Sequence, residues 1–112
     1  MLLTNDQTST YRFLSDMEND SYYPPQLVVK GQLLLHDLCL QIEAQRPQTP
    51  EQLTELTHAA TEQFNQLRDA FEEQGSELET VAREDIAQDI AFIAQAYGFQ
   101  EDIEDLIENR EW

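Results

Sequence analysis

The sequence predicts an all-α protein: an antiparallel bundle of four main helices with a short fifth helix at its C-terminal end. Apolar residues recur at spacings of three and four over most of the chain, and no segment alternates as a strand would. Short turn-forming segments separate the periodic stretches, which favours antiparallel neighbours. With 112 residues, the chain is expected to form one domain over residues 1–112.

The first helix is predicted to run from a cap at Thr4 or Asn5 to about Asn19. It is short, so it needs the rest of the bundle to hold it. The following segment, NDSYYPPQ, breaks the helix, because Pro24 disfavours the helical conformation of the residue before it.

The second helix is predicted over residues 25–45 and is apolar on two nearly opposite sides. The main stripe comprises Leu27, Gly31, Leu34, Leu35, Leu38 and Ile42. The second stripe comprises Val29, Leu33, Leu40 and Ala44. Two narrow polar lines separate the stripes: one consists of Gln32, His36 and Glu43, and the other of Lys30, Asp37 and Gln41. We expect the second stripe to be buried within the bundle, with a homodimer seam as the alternative. Because Gly31 lowers helix stability, another backbone or an aromatic ring should pack against it.

The third helix has signals at both ends. Thr49 is predicted to cap it, Pro50 to take the first helical position, and Gln52 to complete a capping box, while Gly75 ends it. Its core stripe is predicted to contain Leu53, Leu56, Ala60, Phe64, Leu67 and Phe71.

The fourth helix is predicted to be the central packing helix. Ser76 and Glu79 have the spacing of a capping box, and Gly98 stands where a left-handed C-cap is expected. Its apolar stripe comprises Ala82, Ile86, Ile90, Ile93 and Tyr97. The segment EDIEDLIENREW then predicts a short fifth helix of two or three turns with a strongly negative outer surface and with Trp112 folded back or free.

The formal charge of −17 is concentrated in the C-terminal part of the chain. Six acidic and three basic residues precede Pro47, whereas seventeen acidic and three basic residues follow from it onward. Such a field disfavours nucleic acid and anionic lipid as partners and favours basic protein surfaces or cations. Solubility alone is the simpler explanation of an acidic surface.

Cys39 is the single cysteine, which excludes an internal disulfide and a cysteine-cluster metal site. We interpret it as a packing residue, because no neighbour in sequence would activate a thiolate. The chain shows neither a signal peptide nor an apolar run of the roughly 20 residues that span a bilayer. A cytoplasmic location is therefore expected.

Glu55 and His58 have the Glu-x-x-His spacing found in carboxylate-bridged di-iron bundles, and Glu62 extends the line. That class of site needs the motif twice, and the only other histidine, His36, lacks such a partner. Glu55, His58 and Glu62 also project away from the predicted core stripe of the third helix, so we expect them to lie on a solvated face.

Asp85 and Asp89 lie one turn apart at the edge of the fourth apolar stripe. Carboxylates buried there must be paired, hydrogen-bonded or protonated. We expect a structural ion pair with a basic residue rather than a functional site. The candidate partners are Arg12, Lys30, His36 and Arg83. No nucleophile is matched to a base, so no catalytic residue and no cofactor is predicted.

Four segments carry a resemblance to a known family: SYYPPQLVVKGQ, THAATEQFN, ETVAREDIAQDIAFIAQAYGF and the terminal REW. Together they resemble a family of short, acidic bacterial proteins classed as a domain of unknown function. The resemblance implies a bacterial, cytoplasmic, helical protein. It implies no activity, ligand or catalytic residue.

The sequence thus predicts a helical binding module for a protein partner with a basic surface, as an immunity or antitoxin-like protein would be. The alternative is a carboxylate and histidine metal-binding bundle with a catalytic role. Its candidate ligands are His36, Glu55, His58, Glu62, Asp85 and Asp89. The chain is expected to be a monomer or a homodimer.

Overall fold

The computed structural model describes residues 2–112, and regular structure in that range is entirely helical. The prediction of an all-α protein is confirmed. The helices are α1 (Ser15–Glu18), α2 (Pro25–Gln45), α3 (Pro50–Glu73), α4 (Thr80–Ala96) and α5 (Ile103–Leu106). Three of them are long, and α1 and α5 are single turns. Among the described residues, no helix is both long and apolar enough to cross a bilayer.

One contiguous core joins the three long helices. The helix α2 packs chiefly on α3, whereas α4 contacts α1, α2 and α5, and α5 also contacts α3. The predicted core stripe of α3 is confirmed, since all six of its residues are buried. In α4, four of the five predicted residues are fully buried and Tyr97 is partly buried.

The helices α3 and α4 both end in a Schellman motif, as their glycines indicate. Gly75 and Gly98 adopt φ values of 79° and 91°, in the left-handed region. The amide of Ser76 donates to the Phe71 carbonyl at 3.0 Å and closes the end of α3. The predicted capping box of Ser76 and Glu79 is therefore wrong: Ser76 belongs to the end of α3, and Glu79 caps α4 without a side-chain hydrogen bond.

The start of α3 follows the prediction. The Thr49 side chain accepts a hydrogen bond from the Gln52 amide at 3.2 Å, and Pro50 takes the first helical position. The Gln52 side chain reaches one residue further back than in a standard capping box and accepts from the Gln48 amide at 2.6 Å.

The predicted first helix from Asn5 to Asn19 is wrong, since only Ser15–Glu18 are helical. Asn5 makes the contacts of the predicted cap, since its side chain accepts from the amides of Gln7 and Thr8, but the turn that it starts does not continue as a helix. Leu14 then adopts the left-handed conformation, with φ 54° and ψ 40°. A leucine in this conformation cannot continue a right-handed helix, so a new helical turn begins after it.

The prediction that the second stripe of α2 is buried within the bundle is also wrong. Val29 is 49% exposed and Leu33 is 61% exposed. The opposite side of α2 faces the core, where the side chain of Phe64 and that of Leu14 cover Gly31. The predicted aromatic ring against Gly31 is thus confirmed.

The C-terminal segment forms one helical turn, α5, rather than the predicted two or three turns. The side chains of Leu106 and Ile107 are buried and anchor the segment to the core. Trp112 folds back so that its ring lies 6.4 Å from that of Phe64, centroid to centroid.

Candidate functional site

Asp85 and Asp89 are buried carboxylates that cap the start of α1 from another helix. Asp89 accepts from the Leu14 amide at 2.6 Å through one oxygen and from the Tyr11 hydroxyl at 2.8 Å through the other. Asp85 accepts from the Met17 amide at 2.9 Å. The predicted ion pair with a basic residue is therefore wrong. A side chain of α1 itself could have capped these amides, but Leu14 occupies the capping position and has no oxygen to offer.

The two carboxylates differ from ordinary aspartates in their protonation. Burial raises the pKa of Asp89 to about 6, although hydrogen bonds from the Leu14 amide and the Tyr11 hydroxyl act in the opposite direction. Burial also raises the pKa of Asp85. Both groups hold residues 11–17 against α4, and the contacts that they make indicate a structural role.

Glu43 is a third carboxylate that holds the N-terminal segment. It accepts from the amides of Thr4 and Asn5 at 3.0 and 3.1 Å and from the Tyr97 hydroxyl at 2.6 Å. Burial opposes the ionised form, but these hydrogen bonds together lower the pKa of Glu43. Sequence reasoning missed this site, because no local pattern links the start of the chain to residues 43 and 97.

Cys39 lies fully buried within the core. Burial raises the pKa of its thiol to about 12. Such a thiol stays protonated at neutral pH, so the interpretation of Cys39 as a packing residue agrees with the structure.

The Glu-x-x-His motif on α3 has its histidine occupied by the C-terminal segment. The Nε2 atom of His58 lies 2.8 Å from the carbonyl oxygen of Asp105. A carbonyl can only accept, so Nε2 carries the proton and donates it. Glu55 and Glu62 are exposed as predicted, whereas His58 is only half-exposed.

The candidate metal ligands do not converge on one point. Glu55, His58 and Glu62 lie on α3, Asp85 and Asp89 lie beneath residues 11–17, and His36 lies on α2 beside residues 9–13. Within residues 2–112, no three His, Cys, Asp or Glu side chains are grouped so that they could hold a metal ion.

Asn65 clamps the C-terminal segment onto α3 and is 4% exposed. Its amide nitrogen donates to the Asn109 carbonyl at 3.1 Å, and its oxygen accepts from the Glu111 amide at 2.8 Å. Asn109 donates in turn to the His58 carbonyl at 2.9 Å, and Arg68 donates to the Glu111 carbonyl. The available sequence signal was a polar line on α3, formed by Thr57, Thr61 and Asn65 at intervals of four, which is buried.

The clamped segment and the neighbouring edge of α3 form one surface, which we call the acidic face. Its members are exposed carboxylates of two groups. Three lie on α3, seven residues apart, and the others lie within residues 102–111. They are Glu55, Glu62, Asp69, Asp102, Glu104, Asp105, Glu108 and Glu111. Two arginines lie among them, and both are engaged: Arg68 with Asp69 and Glu111 at 3.3 and 3.8 Å, and Arg110 with Glu104 at 3.6 Å. The acidic face therefore keeps a large negative excess.

A second surface feature is the exposed stripe of α2, which we call the α2 stripe and define as Val29, Leu33, Leu40 and Ala44. Leu33 is its most exposed side chain. A cavity of about 510 Å³ between α2 and α3 and another of about 480 Å³ between α2 and residues 9–13 both have Leu33 in their walls. Leu33 thus forms a ridge with a groove on each side.

Comparison with known proteins gives one match. No curated protein and no solved structure shows significant similarity to the chain. A family of unknown function, DUF5713, matches residues 7–112, which include every site described above except the contacts of Thr4 and Asn5. The predicted resemblance to a family of unknown function is confirmed, and the chain belongs to this family.

Proposed function

We propose that this protein is a binding module whose acidic face docks on a basic surface of a protein partner. The observation that carries the proposal is the acidic face itself. It has three exposed carboxylates on α3 and five on the C-terminal segment that Asn65 clamps, and both nearby arginines are already engaged. The proposal takes α2, α3 and α4 as an antiparallel bundle, which their short connections favour.

The charge of this face suits protein recognition through electrostatic complementarity. Like charges gathered on one surface raise the local potential and speed the approach of an oppositely charged partner. They also penalise acidic competitors, so the same charges contribute specificity.

The fixed backbone of residues 105–111 adds a second advantage. A segment with so little regular structure would lose conformational freedom on binding if it were loose. Here the hydrogen bonds that it forms with His58 and Asn65 order it before any partner arrives. The cost of ordering is therefore met during folding, and more of the interaction energy is available for binding.

One concrete form of the proposal is neutralisation of a basic toxin, as an immunity or antitoxin-like protein would perform. The small size, the helical structure and the concentrated negative charge support this form. The single buried cysteine suits a reducing compartment, so we place this function in the cytoplasm.

The test compares a face variant with a matched control in pull-downs from the source cells. The face variant carries Glu55→Gln, Glu62→Gln and Asp69→Asn, and the control neutralises three other exposed acids, Glu77, Glu79 and Glu84. Both variants lose the same total charge. We expect the wild type and the control to retain one basic protein at about 0.05 M salt and to release it at about 0.5 M, because salt screens such contacts.

The face variant should lose that basic protein. If the control variant loses it as well, binding depends only on net charge and not on the acidic face. Recovery of no basic partner by the wild type at low salt would refute the proposal.

A further inference from the structure

We propose that two copies of this chain associate through the α2 stripe, with their α2 helices antiparallel and related by a two-fold axis. This inference is independent of the acidic face. It concerns a side of α2 on which Val29 and Leu33 are 49% and 61% exposed, Ala44 is exposed and Leu40 is partly buried.

The spacing of the stripe is that of a helix–helix seam. Val29, Leu33, His36 and Leu40 are separated by four, three and four residues, the alternation of d and a positions in a heptad. Ala44 follows one turn after Leu40, at an e position beside the seam. His36 is the polar member, and one polar seam position favours a single register at some cost in stability.

The charges beside the seam complement each other across a two-fold axis. Lys30 and Asp37 are both exposed, lie seven residues apart and occupy the e positions next to Val29 and His36. In an antiparallel pair, e positions face e positions, so Lys30 of each copy comes opposite Asp37 of the other. Two ion pairs of equal geometry result, as an isologous interface requires. Within residues 2–112, Lys30 has no ion pair of its own, and Asp37 accepts only from Gln41, at 2.7 Å.

Net charge also selects this side for self-association. The chain carries −17, but α2 contributes only Lys30, Asp37 and Glu43 to that total. Glu43 takes the d position after Leu40, at the end of the seam, but its carboxylate is held by Thr4, Asn5 and Tyr97. Two copies that meet along α2 therefore keep their acidic faces out of the contact, whereas contact through α3 or the C-terminal segment would bring like charges together.

The size of the seam sets the expected affinity. The fifteen steps from Val29 to Ala44 span roughly 22 Å at 1.5 Å per residue. Even with the grooves beside Leu33 filled, such a contact lies at or below the standard interface of about 800 Å² per partner. We therefore expect a dissociation constant in the micromolar range rather than the nanomolar range.

The decisive experiment is sedimentation equilibrium of the full chain and of charge-reversal variants. The measurement uses about 0.15 M salt, where the screening length of about 8 Å weakens repulsion between the acidic faces. The wild type should change from the 13.0 kDa monomer to twice that mass within roughly 1–500 µM. Lys30→Glu and Asp37→Lys should each weaken association roughly tenfold, because each places like charges together twice.

The double variant Lys30→Glu with Asp37→Lys should restore the wild-type dissociation constant to within about threefold, since the reversed pairs attract again. Leu33→Ser should abolish association, whereas Val81→Ser, a control at a comparably exposed apolar residue on α4, should not change it. Circular dichroism checks that every variant keeps its fold. A wild type that stays monomeric at about 0.5 mM, or a double variant that fails to recover, overturns the proposal.

Discussion

Replacing Asp89 by asparagine should stabilise the protein at neutral pH, and the gain should shrink in acid. Asparagine keeps the shape of the side chain, and its carbonyl oxygen can still accept from the Leu14 amide. The substitution removes the negative charge of a side chain that is 1% exposed and that forms no hydrogen bond with a cationic group. Keeping such a charge out of water is unfavourable to the folded state.

The magnitude follows from the protonation of Asp89. Its pKa rises from 3.8 to about 6 in the folded protein, mainly through burial. Because the folded-state pKa lies above the unfolded one, the stabilisation from this group is complete below about pH 3.8 and is lost as the pH rises through about 6. The shift of about two pKa units corresponds to an ionisation cost of about 3 kcal/mol at pH 7.5 and about half of that at pH 5.

The assay is urea unfolding, followed by circular dichroism, of the wild type and of Asp89→Asn at both pH values. The free energy of unfolding of the variant, relative to the wild type, should fall by about 1.4 kcal/mol from pH 7.5 to pH 5. Asp6→Asn, at an exposed position, is the matched control and should show a much smaller change. If Asp89→Asn loses more stability at pH 7.5 than at pH 5, Asp89 is ionised at low cost and the reasoning fails.

Two further substitutions test how the core and the C-terminal segment are held. Asn65→Ala should lower the free energy of unfolding by about 1–3 kcal/mol, speed amide exchange near residue 111 and shift the fluorescence of Trp112 to the red. Gln63→Ala is its control on the same helix, and an unchanged Trp112 signal in Asn65→Ala would contradict the clamp. Gly31→Ala gains about 1 kcal/mol of helix propensity, but its Cβ would lie 2.7 Å from a buried methyl group of Leu14. We expect a net loss of about 1 kcal/mol in urea unfolding, and a net gain would show that Leu14 yields easily.

The elements that follow from sequence are those whose signals are local. Thr49 and Pro50 start α3, and Gly75 and Gly98 end α3 and α4, through contacts within a few residues. Periodicity likewise identified the core sides of α3 and α4, because each faces a single core. Ser76 shows the limit of local rules. Its spacing from Glu79 fits a cap for α4, but its amide already donates to the Phe71 carbonyl at the end of α3.

The errors arise where distant groups decide the outcome. Nothing near Leu14 indicates a left-handed leucine, since the carboxylate that accepts from its amide is 75 residues away. The predicted helix over residues 5–19 failed for that reason. The second stripe of α2 was a different case, because periodicity reports that a side is apolar but not what covers it. Asp85 and Asp89 were correctly expected to need partners, but the amides that serve them could not be identified from sequence.

The carboxylates that hold the N-terminal segment also constrain the order of folding. Residues 4–17 precede in the chain the groups that fix them, which lie on α2 and at positions 85–97. Contacts over such sequence separations raise the contact order and form slowly compared with helix formation. Residues 11–17, which Asp85 and Asp89 hold, cannot be fixed until α4 has left the ribosome. We expect their contacts to contribute little to the folding transition state. Mutations there should accelerate unfolding far more than they slow folding.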